Sequence, residues 1–279
     1  MPLQLKSVEP MRGPRWVADA FRLFVRRPIA LTMLFVAFFI ASTLVAALLP
    51  FVGSLLQLCS LPMLSLGFMV ATQSALLGGP VHPGQFFEPL RGQAQRRRAL
   101  LGLCLSYGIA AFAILLLCSW VSGDALGRLQ ALMARGDSTP EQVDALLEEP
   151  GVASAALTLL VLGTALTVPF WHAPALVHWG GQGMAQALFS STLALWRTKG
   201  AFTLYSLTWA ALTLLTGALS ALLFGLIGAH TLATLVALPL GLVFSTVFYV
   251  SLLFVFNDTF GNATGDRPPD SDMPATPPA

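Results

Sequence analysis

Charged residues are scarce in this chain: Asp, Glu, Lys and Arg together make up 10% of its 279 residues. A soluble domain carries about 25% charged residues, so the deficit excludes an ordinary water-soluble fold. Hydrophobic residues make up 56% of the chain. We therefore expect most of the chain to lie in lipid, with nothing left over for a soluble catalytic domain.

Cysteine is scarce as well. The three cysteines, Cys59, Cys104 and Cys118, are odd in number, and no two of them have CxxC spacing. All three fall within long apolar stretches, where a cysteine commonly serves as a small packing residue. The sequence therefore predicts neither a disulfide framework nor a metal cluster.

The chain also lacks the common motifs of catalysis and ion coupling. It contains no GxSxG, no HExxH and no glycine-rich phosphate-binding loop. No charged residue lies within its long apolar stretches, whereas proton-coupled transporters and pumps generally depend on an intramembrane charge. We expect no enzymatic activity, no cofactor, no metal and no nucleic-acid partner. Facilitated passage of an uncharged or amphiphilic molecule stays open.

Long apolar stretches are what the sequence has in abundance. About 20 residues at 1.5 Å rise cover a hydrocarbon core of about 30 Å, so six of these stretches can cross a bilayer as helices. We predict an all-α, polytopic membrane protein with six transmembrane helices. The predicted spans are residues 28–49, 51–77, 99–121, 152–171, 201–225 and 231–256.

Basic residues predict the orientation of these spans. Of the 15 Lys and Arg residues, all except Arg128 and Arg135 lie in the two terminal segments or in the loops after spans two and four. Positively charged loops stay in the cytoplasm. We therefore expect both termini to be cytoplasmic, which an even number of spans permits.

The basic clusters also indicate a threefold plan. Segments 21–31, 92–102 and 193–202 each place basic residues before a pair of spans. We predict three hairpins, each preceded by a short interfacial helix. Small residues recur at four-residue steps in spans five and six, and such stripes let helices approach closely in lipid. Spans five and six are therefore expected to form a tight antiparallel pair.

The first interfacial helix, residues 14–27, has the strongest pattern of the three. Aromatic and apolar residues, Trp16 among them, lie on one face and basic residues on the other. A helix of this kind lies on the surface of an anionic membrane. The other two, at 85–98 and 183–196, are weaker patterns and are equally consistent with simple connectors.

Residues 171–179, WHAPALVHW, contain two of the four histidines. His172 and His178 are separated by about 600° around a helix, and Pro174 is expected to break that helix, so a shared metal site is not predicted. One interpretation is an aromatic belt and chain turn at the end of span four. The other is a contact with a lipid headgroup or a protein partner.

These patterns define a set of candidate contacts with anionic headgroups at the cytoplasmic face. The candidate residues are Trp16, Arg22, Arg26, Arg27, Arg96, Arg97, Arg98, His172, His178, Trp179, Arg197 and Lys199. Polar side chains inside the spans, such as Gln57, Tyr107, Tyr205 and Tyr249, are most simply explained as interhelical hydrogen bonds or belt residues.

Two segments lie outside the spans. Residues 122–150 are predicted to form an extracytoplasmic helix–turn–helix, with Gly136 and Thr139 as its caps; it is either a solvated loop or a site for a cation or a partner. Residues 261–279 are small, polar and proline-rich, which predicts a disordered cytoplasmic tail. Residues 1–260 are expected to form a single membrane domain.

Four segments carry a family resemblance: RWVADAFRLFVRRPIAL (15–31), LPMLSLGFMVATQ (61–73), PVHPGQFFEPLR (80–91) and APALVHWGGQGMAQALFSS (173–191). They resemble an uncharacterised family of six-span proteobacterial inner-membrane proteins. The resemblance covers most of residues 14–257, but WRTKG stands before span five where the family pattern has Arg-Asn. A more distant likeness in plan links such proteins to the membrane domain of some glycerophosphodiester phosphodiesterases. The resemblance implies a location in the bacterial inner membrane and no particular activity.

Two functions follow from these observations. The first is a non-catalytic membrane module that contacts lipids or a partner protein at the cytoplasmic leaflet. The second is a permease or a carrier of lipids or amphiphiles, without coupling to an intramembrane charge, whose path lies between the three hairpins. A cavity open to one leaflet would favour the carrier.

Overall fold

The computed structural model describes residues 3–135, 140–227 and 230–261. These residues form α-helices and two short 3-10 turns, and no strand is present among them, which confirms the predicted all-α class. In chain order the helices are α1 (Arg12–Arg26), α2 (Pro28–Leu48), α3 (Pro50–Leu76), α4 (Ala94–Ser122), α5 (Ala125–Arg135), α6 (Pro140–Leu147), α7 (Pro150–Phe170), α8 (Ala173–His178), α9 (Met184–Arg197), α10 (Lys199–Ile227) and α11 (His230–Phe260).

Six helices of the described chain are long and apolar enough to cross a membrane, which confirms the predicted number. They are α2, α3, α4, α7, α10 and α11. Their bounds agree with the predicted spans to within a few residues. The largest differences are at α4, which begins at Ala94, and at α11, which continues to Phe260.

The first four spanning helices pack in sequence order: α2 against α3, α3 against α4, and α4 against α7. Two glycines allow close approach at these interfaces. A Cβ at Gly53 would lie 2.3 Å from the carbonyl oxygen of Val45, and one at Gly108 would lie 2.9 Å from the backbone nitrogen of Cys59. Two of the predicted hairpins, α2 with α3 and α4 with α7, are therefore packed pairs.

The expected tight pairing of spans five and six is wrong. A Cβ at Gly217 in α10 or at Gly241 in α11 would meet no atom within 4 Å. A cavity of about 550 Å³ separates the two small-residue stripes. One reason is the pair Trp209 and Phe244, whose rings meet across the gap with centroids 6.3 Å apart. Bulky aromatic rings at that level hold the helices apart.

Helix α1 is the other cause of this separation, because it packs against both α10 and α11. Its apolar stripe is buried in that contact: Trp16, Val17, Ala20, Leu23 and Phe24. The expectation that this stripe faces lipid is therefore wrong. An apolar stripe has the same spacing whether its partner is lipid or an apolar helix, so the sequence pattern predicted the helix correctly and its partner incorrectly.

The connectors before the second and third hairpins differ from each other. Residues 85–98 do not form one helix, since two 3-10 turns, Pro83–Phe86 and Glu88–Arg91, precede the start of α4. Pro89 and Gly92 interrupt any longer helix there. The third connector is helical as predicted, over Met184–Arg197.

The insert between α4 and α7 contains two short helices, α5 and α6, as predicted. Arg128 in α5 forms an ion pair with Glu149, which fastens the insert to the residue preceding α7. The predicted caps, Gly136 and Thr139, and the predicted tail after residue 261 lie outside the described residues.

Candidate membrane-interface site

Most of the predicted basic residues lie at one end of the helix bundle, called here the basic end. Both described termini meet there, because the backbone N–H of Lys6 donates a hydrogen bond of 2.8 Å to the carbonyl of Thr259. The exposed basic side chains among the candidates are Arg22, Arg26, Arg96, Arg97, Arg98, Arg197 and Lys199. Their exposure places them at the surface of the basic end, where Arg22 also forms an ion pair with Asp19 at 2.7 Å.

Two of the candidate arginines hold loops of the basic end together. The Arg27 guanidinium donates a hydrogen bond to the carbonyl of Gly79, which ties the start of α2 to the loop after α3. Arg96 donates to the carbonyl of His178 at 3.4 Å, next to a small polar pocket that also contains Gln182. These two arginines therefore stabilise the fold and also contribute positive charge to the surface of the basic end.

Trp16 is fully buried, so the prediction that it contacts headgroups is wrong. Its indole N–H donates a hydrogen bond of 2.6 Å to the carboxylate of Asp258. Arg12 forms an ion pair with the same carboxylate at 2.6 Å. Asp258 was missed by the sequence analysis because the predicted sixth span ended at Phe256. The helix continues, and its next turn brings a carboxylate to α1.

His172 is also buried, which excludes the headgroup contact predicted for it. Its ring packs against Phe256 and Phe260 of α11, with centroids 5.9 and 5.4 Å away. Its backbone N–H donates to the hydroxyl of Ser191 at 3.0 Å, which joins the start of α8 to α9. The chain turn of the WHAPALVHW segment is therefore an internal joint between three helices.

His178 and Trp179 lie nearer the surface than His172 and are partly exposed. The two rings pack edge to face with centroids 5.1 Å apart, and Trp179 continues onto Phe256 at 5.3 Å. The two histidines thus have different surroundings. Within the described ranges, no group of three or more His, Cys, Asp or Glu residues is placed to hold a metal ion.

Two exposed aromatic residues at the basic end were not predicted. Trp196 is 72% exposed, and the ammonium of Lys199 lies 5.2 Å from its ring centroid. Phe87 is 61% exposed and lies between the two 3-10 turns. Exposed aromatic residues beside basic ones are typical of the headgroup region of a bilayer. The available signal for Trp196 was its position between basic residues, with Arg197 next to it and Lys199 three residues on.

An apolar groove lies between α2 and α3, on the side covered by the 3-10 turns. Its volume is about 400 Å³. Phe86 forms one wall, because its ring occupies the space beside Gly67 and packs on Phe38 with centroids 5.2 Å apart. Among the polar lining residues, the hydroxyl of Ser60 is satisfied by the carbonyl of Gln57 at 2.7 Å. We call this space the α2–α3 groove.

The α2–α3 groove ends next to basic residues. Leu90 lines the groove, Arg91 follows it directly, and the basic cluster 96–98 begins the next helix. An acyl chain matches the apolar lining of such a groove, and a phosphate matches the arginines beyond it. The arrangement can therefore accommodate both parts of an anionic lipid.

The chain is similar to a bacterial protein that has been named as a membrane protein. The chain is 34% identical over 263 residues to a protein of Burkholderia thailandensis that is named as a probable inner membrane protein. The aligned residues cover 93% of this chain and 94% of the relative. No family model and no solved structure matches the chain.

Proposed function

Since the chain belongs to the family of this Burkholderia protein and is a multi-pass inner-membrane protein, we propose that it is a non-catalytic membrane module that binds anionic lipids at the cytoplasmic leaflet. The observation that carries the proposal is the α2–α3 groove, whose lining residue Leu90 is followed directly by Arg91 and, at the start of α4, by the arginine cluster. In this proposal, one lipid occupies the groove with its acyl chain and reaches these arginines with its headgroup.

In this proposal, the charge of the headgroup determines which lipids the protein prefers. Lipid tails are as apolar as leucine, so moving an acyl chain from the bilayer into the groove gains little hydrophobic free energy. Shape fixes the position of the chain, while each Lys or Arg near the surface contributes about 1 kcal/mol of attraction to anionic lipid. Exposed Arg97 and Arg98 are the simplest charges to test, because the structure gives them no ion-pair partner within its described residues.

The lipid preference can be measured by native mass spectrometry of the purified chain with phosphatidylglycerol and phosphatidylethanolamine in competition. We expect a preference for phosphatidylglycerol, and we expect Arg97→Gln and Arg98→Gln to reduce it about fivefold each. Arg128→Gln, at the opposite end of the bundle, is the control and should leave the preference unchanged. Equal reduction by all three substitutions would contradict the proposal.

A substitution in the groove separates the acyl chain from the charge. Ala41→Phe places a ring in the α2–α3 groove, whereas Ala237→Phe places the same ring in the wider cavity between α10 and α11. We expect only Ala41→Phe to lower the number of retained lipids. Labelled lipid can also be followed across the bilayer of vesicles that contain the protein. Faster crossing than in protein-free vesicles would favour the carrier function over the non-catalytic membrane module.

The proposal requires the basic end to face the cytoplasm, which chemical labelling can test. Gln95 lies at the basic end, and Asp124 lies at the opposite end beside α5; both side chains are exposed. In intact cells, a membrane-impermeant maleimide that enters the periplasm is expected to label Asp124→Cys and to leave Gln95→Cys unlabelled. The reverse pattern would place the basic end outside and remove the cytoplasmic leaflet from the proposal.

A further inference from the structure

A second cavity lies inside the bundle, away from the α2–α3 groove. Its volume is about 150 Å³, and its lining comes from α3, α4 and α11 and from the end of α7 with the residue that follows. We call it the central cavity. Tyr249 in its wall is about 16 Å from the end of α11 at 1.5 Å per residue, which places the cavity within the hydrocarbon core.

Three polar groups in the wall of the central cavity have no hydrogen-bond partner among the described residues. The indole N–H of Trp171 is buried and unpaired. The rings of Tyr107 and Tyr249 pack on other aromatic rings, and their hydroxyls make no hydrogen bond within the described residues. The neighbouring hydroxyls are satisfied locally, since Ser65 donates to the carbonyl of Pro62 at 2.9 Å and Thr167 donates to that of Thr164 at 2.8 Å.

This pattern is unusual inside a membrane. Buried polar groups are nearly always paired, and an unpaired donor in a region without water is costly. Here, Tyr107 of α4 and Tyr249 of α11 line one space from two different helices, together with Trp171, which follows α7. A ligand with hydrogen-bond acceptors would satisfy them, and the absence of any charged residue from the lining indicates that the ligand is neutral.

The size and the walls of the central cavity restrict the class of ligand further. A cavity of about 150 Å³ in another protein, lined by Leu, Ile and Phe, binds benzene, so this one has the size of a single six-membered ring. Its walls are rings as well: Trp171 meets Phe248 at 5.9 Å, and Tyr107 meets Phe170 at 5.2 Å. Flat aromatic walls suit a flat ligand.

We propose that the central cavity binds the ring of a neutral, lipid-soluble molecule of the quinone class. The two carbonyl oxygens of a quinone are acceptors for the hydroxyls of Tyr107 and Tyr249, and the ring lies among the aromatic side chains. The cavity is open at one side, so a hydrophobic tail on the ring can extend into the surrounding lipid. This site shares no residue with the α2–α3 groove and does not depend on it.

The probe for this proposal is duroquinone, whose ring is fully substituted and therefore does not alkylate Cys59 or the other cysteines. Quinones quench nearby indoles, so binding to the purified full chain in detergent can be followed by tryptophan fluorescence. We expect saturable quenching, and we expect Tyr107→Phe and Tyr249→Phe each to raise the half-saturating concentration about fivefold. Both substitutions remove one hydroxyl and keep the ring.

The control is Tyr205→Phe, because the Tyr205 hydroxyl is paired with Ser251 at 2.7 Å and lies outside the cavity. It should leave the half-saturating concentration unchanged. Durene, the same methylated ring without carbonyl groups, should compete poorly. The proposal is overturned if quenching does not saturate, if all three tyrosine variants bind duroquinone equally, or if durene displaces duroquinone at equal concentration.

Discussion

Replacing Gly13 with alanine is expected to destabilise the attachment of α1 by about 2–3 kcal/mol, which is in the range for overpacking of a closely packed core. The new Cβ would lie 2.2 Å from the carbonyl oxygen of Ala201 and 2.7 Å from the backbone nitrogen of Tyr205. Both are main-chain atoms of α10, so no side-chain rotation relieves the clash. Helix α1 has to move away from α10 as a body.

The measurement is thermal unfolding of the purified protein in detergent, together with the rate of proteolysis within residues 12–26. Gly217→Ala is the matched control, since it is the same substitution in a helix but meets no atom within 4 Å. It should not lower the free energy of unfolding and is expected to raise it by about 0.5–1 kcal/mol, because alanine is favoured over glycine inside a helix. Equal effects of the two substitutions would show that α1 does not pack against α10 as described.

Replacing Trp16 with alanine is expected to have the larger effect, about 3–5 kcal/mol, the usual range for a buried Trp or Phe. Trp16 is fully buried, packs on the Tyr205 ring at 5.9 Å and donates to Asp258. Its removal leaves a cavity and withdraws one donor from a carboxylate. The same change at exposed Trp196 should alter the free energy of unfolding by less than about 0.5 kcal/mol.

The hydrogen bond of Trp16 can be separated from its packing. Trp16→Phe keeps most of the ring but removes the N–H, so it should cost about 1.5–3 kcal/mol, the range for a hydrogen bond to a charged group. In Asp258→Asn that charge is absent, and Trp16→Phe should cost less. A double-mutant cycle with no coupling between the two positions would contradict the proposed contact.

The number and bounds of the spanning helices were predictable because few arrangements other than a helix satisfy the backbone of a long apolar run in lipid. The partners of those helices were less predictable. The small residues of spans five and six, Gly217 and Gly241 among them, predicted close packing of the two helices, and that prediction was wrong. The sequence did not show that α1 and the rings of Trp209 and Phe244 would keep the two surfaces apart.

The candidate site residues also include some whose position was predictable from the sequence and some whose position was not. Exposed basic residues such as Arg97 and Arg98 were predictable, because charge before a span almost always lies at the membrane surface. Trp16 and His172 were assigned to that surface incorrectly, since an aromatic residue beside a basic cluster fits either a headgroup or the core. The pairing of Trp16 with Asp258 joins residues far apart in the chain, and no local pattern reports it.

The central cavity combines predictable and unpredictable features. Tyr107 and Tyr249 were recognisable as polar residues within spans, for which an interhelical hydrogen bond was the simplest explanation. Tyr205 fits that explanation through Ser251, but Tyr107 and Tyr249 do not. What distinguishes them is that they face one space with Trp171, and this depends on how four segments of the chain come together.

The contact between α1 and α11 also constrains how the protein is made. Arg12 and Asp258 are 246 residues apart in sequence, so α1 cannot complete this contact until α11 has left the ribosome. At about 5–20 residues per second, that interval lasts roughly 12–50 s. During this time the apolar stripe of α1 needs a temporary partner, either the bilayer surface or the insertion machinery. The docking of α1 against α11 is therefore a late step in the assembly of this protein.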